Sequence, residues 1–155
     1  MRPGLALVSI GRQELRVWSE GTLLGSFVVS TAAAGPGCRE GSGCTPTGWH
    51  RVSQVIGAGE PVGMRFVSRE PVGVWDGTPS DDDLILTRIF RLEGIEDGLN
   101  RGPGIDSFER YIYLHGTNRE DLLGTPASHG CVRLSNRDSL RLESLLQVGD
   151  LVHLS

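Results

Sequence analysis

YIYLHGTNREDLLGTPASHGCVRLSN, residues 111–136, is the stretch on which the reading of the chain turns. It opens on alternating aromatic and apolar residues that fit a strand ending at His115. It closes on a Ser-His-Gly-Cys turn that runs into a short Cys-Val-Arg-Leu strand. Directly after it, NRDSLRLESLLQVGD is the one convincing helix of the chain. Asn136 is placed to cap it, Asp138 sits favourably in its first turn, Leu142, Leu145 and Leu146 share one face, and Gly149 stops it.

Outward from this segment, apolar or β-branched runs recur at 5–10, 14–18, 23–30, 49–56, 84–91, 111–115 and 150–154, each bounded by Gly, Pro, Asn or Asp. Glu20-Gly21 stands where a hairpin turn joins the second run to the third. The 22 glycines and 8 prolines among 155 residues fit many turns between short strands. The expected fold class is therefore mostly β, a β-rich α+β domain with one helix after the cysteine motif. Residues 1–155 are long enough for one domain with a core of its own and short for two. Two segments read as long loops, 57–83 and 93–109, and are expected to wall a cleft. The first contains Glu-Pro-Val-Gly twice, at 60–63 and 70–73, which reads as chance or as a pair of similar turns.

The formal net charge of −4 and the lack of a basic run with interleaved aromatics argue against nucleic acid as a partner. No stretch approaches the roughly 18 apolar residues that span a bilayer, and the N-terminal run is shorter than a secretory h-region. A protein that stays in the cytoplasm, without a membrane partner, is the expectation. A periplasmic or envelope location follows instead if Met1 replaced a natural leader.

His115, His129 and Cys131 admit three readings. As metal ligands they lack the spacing of a structural zinc site, with no carboxylate standing as an obvious fourth, so neither a metal nor a cofactor is expected. As core residues, a buried Cys is a small hydrophobe. As chemistry, Cys131 is a nucleophile beside a glycine that lets backbone amides approach a substrate, with His115 as its base. The residue after His115 is Gly116, whose carbonyl can orient the imidazole in place of an acidic side chain. The amides around His129, Gly130 and Cys131 can then face an oxyanion.

HGTNREDLLGTPASHGCVRLSN closely resembles the signature of the L,D-transpeptidase catalytic domain (YkuD-like) family: a histidine, a spacer of a dozen or so residues, then Ser/Thr-His-Gly-Cys. The likeness extends to VVST at 28–31, TPTG at 45–48 and VGDLVHL at 148–154. The resemblance implies a β-sandwich or barrel in which Cys131 forms a thioester with a peptidoglycan stem peptide, and it makes carbapenem β-lactams expected covalent ligands. It places His115 as base, Gly116 as orienting carbonyl, and Ser128, His129 and Gly130 in the oxyanion turn. Arg133 stands where many members have Asn. Attack falls on the L-centre of diaminopimelate next to a terminal D-Ala. Water is the expected acceptor, which makes the chain an L,D-carboxypeptidase of muropeptide recycling, similar to short leaderless members of the family; an amine acceptor, which makes it a transpeptidase, is the alternative. An inert wall-peptide binder is the remaining alternative.

A carboxypeptidase reads a free carboxylate. Arg133 is close to the nucleophile in sequence. Arg88 falls by alternation on an apolar face with Leu84, Leu86 and Phe90, where it either meets a substrate carboxylate or pairs with a structural Asp or Glu. Tyr111 and Tyr113 share the face of His115 by the same alternation, as cleft lining or as ordinary packing. Cys38 and Cys44 bracket a small loop and are expected to be free thiols in a reducing compartment. His50 and His153 read as surface or structural residues.

Overall fold

The computed structural model describes residues 3–155. Ten strands and one α-helix follow one another as β1 (Leu5–Ser9), β2 (Glu14–Ser19), β3 (Thr22–Val28), β4 (Gly48–Ile56), β5 (Met64–Val67), β6 (Glu70–Val74), β7 (Ile85–Gly94), β8 (Tyr113–Thr117), β9 (Val132–Leu134), α1 (Asn136–Glu143) and β10 (Leu151–Leu154). They form one mixed sheet in the order β3-β2-β1-β10-β4-β7-β5-β6, from which β8 and β9 branch off beside β7. All pairings are antiparallel except β1 with β10 and β8 with β9. The sheet curls back on itself. Ser30, just past β3, exchanges both backbone hydrogen bonds with Arg133 of β9, at 3.0 and 2.9 Å. The fold is thus mostly β with barrel-like closure, and its single α-helix follows the cysteine turn.

Period-2 alternation along β8 and β9 sorts side chains onto two faces. Leu114, Val132 and Leu134 enter the main core with Ala6, Val17, Phe90, Leu92 and Leu142. Tyr113 and Cys131 belong instead to a smaller cluster with Phe66 and Ile89. The register sets His115 beside Arg133 and opposite Ile89, on that second face. One core therefore fixes the strands, and the other face is left for chemistry.

Three expectations change. The first long loop is not a loop throughout: β5 and β6 form a hairpin, with Ser68 and Arg69 both at positive φ (48° and 68°) in a tight turn of the kind that suits strand twist. The two Glu-Pro-Val-Gly copies differ accordingly, the first being a turn and the second the body of β6. The helix is capped by Ser135, whose hydroxyl accepts from the Asp138 amide at 3.0 Å, rather than by Asn136, and it ends at Glu143, well before Gly149. Tyr111 lies outside β8 with φ at 57°, so strand alternation does not govern where its ring goes.

Candidate active site

Cys131 enters β9 from the Ser-His-Gly turn and is partly exposed. Its Sγ lies against the backbone of the neighbouring strand: it accepts from the Tyr113 amide at 3.3 Å and donates to the Tyr111 carbonyl at 3.4 Å. The turn below it is tied down. Ser128 Oγ donates to the Cys131 carbonyl at 2.5 Å and accepts from the Gly130 amide at 3.2 Å, while Thr45 Oγ1 donates to the Gly130 carbonyl at 2.9 Å. Gly130 has φ at 136°, a conformation that other residues rarely take, so the glycine is required for the turn itself.

His115 is fully buried. Its Nδ1 lies 2.6 Å from the Gly116 carbonyl. A carbonyl can only accept, so Nδ1 carries the proton and Nε2 carries the lone pair. Nε2 has no partner among the described residues. Gly116 is glycine for a steric reason: a Cβ there would stand 2.6 Å from both Asn136 Oδ1 and the Leu86 carbonyl. Asn136, which donates to the Thr117 carbonyl at 2.9 Å, therefore packs over the peptide that orients the imidazole.

Burial shifts the two reactive groups in opposite directions. It pushes the Cys131 thiol up to about 12, against the smaller opposing pull of the Tyr113 amide. It drives the His115 imidazole below its ordinary value, partly offset by Asp83 and by the Gly116 carbonyl. Both shifts favour a neutral thiol and a neutral imidazole.

Asp83 is a participant that sequence reading missed. It pairs with Arg133 at 2.9 Å and faces His129 Nδ1 at 3.4 Å. As the last of three consecutive aspartates in a polar stretch it carries no sequence signal of its own. His129 projects outward, with its side chain 79% exposed. Arg133 is buried and already neutralised by Asp83.

Arg88 does not reach for a substrate. Thr87, with φ at 73°, bulges out of the ladder together with Arg88, and the guanidinium donates to Glu143 at 2.8 Å and to the Glu60 carbonyl at 3.0 Å. It anchors α1, so the carboxylate-reading role is withdrawn in favour of the structural pairing. Tyr113 is buried beside Cys131, and Tyr111 is half exposed. His50 is buried rather than superficial, and His153 stacks against Trp49 at 4.5 Å between ring centroids. Cys38 and Cys44 are free thiols. No group of three or more His, Cys, Asp or Glu side chains is placed to hold a metal ion among the described residues, and no helix is long and apolar enough to cross a membrane.

The chain is 31% identical over 78 residues to a putative L,D-transpeptidase, YkuD, of Bacillus licheniformis; the match takes in 46% of this chain and 47% of that protein. The chain thus spans about half the length of that curated relative. Among solved structures, L,D-transpeptidase 3 from Mycobacterium tuberculosis with a faropenem-derived adduct superimposes with a TM-score of 0.61 at 17% identity, over 99% of this chain and 60% of the other. A further L,D-transpeptidase, in complex with imipenem, gives 0.60 at 17% identity over 99% of this chain and 59% of the other. At those identities the two structures speak to the fold. The model of the L,D-transpeptidase catalytic domain, YkuD, matches residues 3–154, and the chain belongs to that family.

Proposed function

We propose that residues 1–155 act as one catalytic domain, a cysteine acyl-transfer enzyme that carries a peptidoglycan stem peptide through a thioester on Cys131. The observation that carries this reading is a sulfur cradled by the Tyr113 amide on the same strand face as a buried imidazole whose unpartnered nitrogen, among the described residues, is the basic one. Because burial holds both groups neutral, the proton leaves Sγ for His115 Nε2 as the sulfur attacks, rather than beforehand. The attacked carbonyl is that of the diaminopimelate L-centre. Its oxygen becomes an anion that takes up the Tyr113 N–H, which the resting sulfur holds, together with the Cys131 amide. The intermediate collapses with cleavage of the C–N bond. His115 returns the proton to the departing D-Ala amine, and the thioester remains.

In this scheme Gly116 fixes the imidazole, Ser128 and Gly130 fix the turn, and Asp83 with Arg133 balances charge beside it. His129 stays outside the proton path. Two acceptors then compete for the thioester. Water yields a tripeptide and makes the chain an L,D-carboxypeptidase, in the cytoplasmic setting expected from the sequence. An amine yields a cross-link or a D-amino-acid exchange in the envelope, the outcome favoured by the names of the relatives.

The test has two readouts. Incubation with a carbapenem should give a one-to-one covalent adduct at Cys131, absent from Cys131→Ala; an unchanged intact mass under reducing conditions rejects the nucleophile. Mass spectrometry of products from a tetrapeptide ending in D-Ala then assigns the acceptor: released D-Ala with tripeptide for water, dimer or exchanged D-amino acid for an amine.

A further inference from the structure

Around the two tyrosines whose backbone holds the Cys131 sulfur lie two arginines that the acyl-transfer chemistry leaves unused. Arg91 is the register partner of Tyr113, so its side chain leaves β7 on the face that carries the sulfur. It is 8% exposed. The guanidinium stacks on Phe108, its Cζ 3.6 Å from the ring centroid, and donates one terminal N–H to the Phe108 carbonyl at 2.9 Å. Its Nε–H has no acceptor. The ring of Tyr111 has its centroid 5.1 Å from the same Cζ, and Arg69 from the β5–β6 turn sits over that ring, also at 5.1 Å, while donating to the Tyr113 hydroxyl at 3.2 Å.

Neither arginine takes part in an ion pair among the described residues. The other two buried arginines of these strands show the contrast. Arg88 is neutralised by Glu143, and Arg133, although its Nε is also unpartnered, by Asp83. Two guanidinium groups on one ring repel each other, and a buried N–H without an acceptor carries the full cost of leaving water. Glu70, next to Arg69 in the chain, attracts it from a distance, yet no acidic group comes within ion-pair reach of either arginine among the described residues. The missing component is an anion, and the planar fork of arginine matches a carboxylate best.

We propose that Arg91 and Arg69, which share the ring of Tyr111, bind a carboxylate of the acyl donor. The proposal rests on the acyl-transfer reading above and names the part of the donor that is recognised. The two residues that flank the scissile bond offer that chemistry twice: the α-carboxylate of the terminal D-Ala, and the side-chain carboxylate of diaminopimelate. Phe108 holds Arg91 in place before the donor arrives, so the subsite is preorganised.

Three forms of one tetrapeptide test it: unmodified, amidated at the terminus, and amidated on the diaminopimelate side chain. The wild-type kcat/KM should fall by about 10- to 100-fold for one of the two amides, chiefly through KM, and that amide identifies the source of the carboxylate. Arg69→Asn, which tolerates the left-handed backbone of the turn, and Arg91→Met, which keeps the packing volume, should lower the rate on the unmodified peptide toward that of the amide and erase the preference. Equal use of all three peptides by the wild type, or a preference retained in Arg69→Asn, overturns the proposal even if Arg91→Met fails to fold. If no peptide acylates Cys131, the acyl-transfer reading fails separately. The subsite is then decided by the Nε–H resonance of Arg91 during titration with sodium acetate: a downfield shift supports it, and an unmoved signal rejects it.

Discussion

Two histidines of this fold are both completely buried, and both have Nδ1 against a backbone carbonyl: His50 on β4, 3.0 Å from the Gly48 carbonyl, and His115 on β8, 2.6 Å from that of Gly116. They differ at the other nitrogen. Nε2 of His50 meets Ser107 Oγ at 2.8 Å, whereas Nε2 of His115 has no hydrogen-bond partner among the described residues. A ring bonded at both nitrogens is finished and serves as a strut. A ring bonded at one is oriented yet unsatisfied, and its open lone pair is available for a reaction. Burial alone therefore does not distinguish a structural histidine from a catalytic base; the count of satisfied nitrogens does.

The sharpest way to break this comparison is to remove each ring. His115→Ala should slow acylation of Cys131 by about 10²- to 10⁴-fold, the range of a lost general base, while the circular dichroism spectrum and an unfolding transition persist. Acylation at the wild-type rate would return His115 to the same class as His50. For comparison, His50→Gln should leave the acylation rate of the folded fraction unchanged.

The second expectation concerns stability and pH at His50. Burial lowers its pKa from 6.5 to about 4. Between those values the unfolded chain takes up a proton that the folded chain refuses, so stability is full above pH 6.5 and is lost as pH falls toward 4. The contribution is on the order of 3 kcal/mol over that window. His115 is shifted in the same direction and adds to the slope. Urea midpoints measured across the window should therefore fall less steeply in His50→Gln than in the wild type, with a loss of about 1–3 kcal/mol at pH 7 from the unpaired Ser107. Parallel slopes in the two proteins would mean that His50 is not held neutral.

Much of this arrangement was legible in residues 111–136. The alternation of β8, the Ser-His-Gly-Cys turn and the helix after it are short-range patterns, and a glycine after a catalytic-type histidine points to a backbone acceptor. What the sequence hid, it hid for physical reasons. The β5–β6 hairpin turns on Ser68 and Arg69, residues without the glycine or asparagine that usually marks positive φ. The bulge at Thr87 and Arg88 takes Arg88 out of the alternation on which its reading relied, and Arg91, which shares a face with Ile89, was singled out by no pattern. Asp83 differs from Asp81 and Asp82 only by where the fold carries it. Ser135 and Asn136 are both good cap residues, and only the backbone at the helix start separates them.

The smallest expected effect belongs to the residue that looks most catalytic in the motif. His129 adjoins Gly130 and lies two positions from the nucleophile, yet its ring is mostly in solvent and its one polar neighbour is Asp83, 3.4 Å away. Asp83 holds Arg133 more closely, at 2.9 Å, and keeps that partner when the imidazole is removed. An exposed pair of this kind contributes between nothing and about 1 kcal/mol, so His129→Ala should change the rate of Cys131 acylation by no more than about fivefold. The backbone amide of residue 129 survives the substitution, and Gly130, not His129, supplies the left-handed turn. A loss of about 10²- to 10⁴-fold in His129→Ala, with His115→Ala at the wild-type rate, would place the exposed ring in the proton path and leave the buried one, like His50, as a strut.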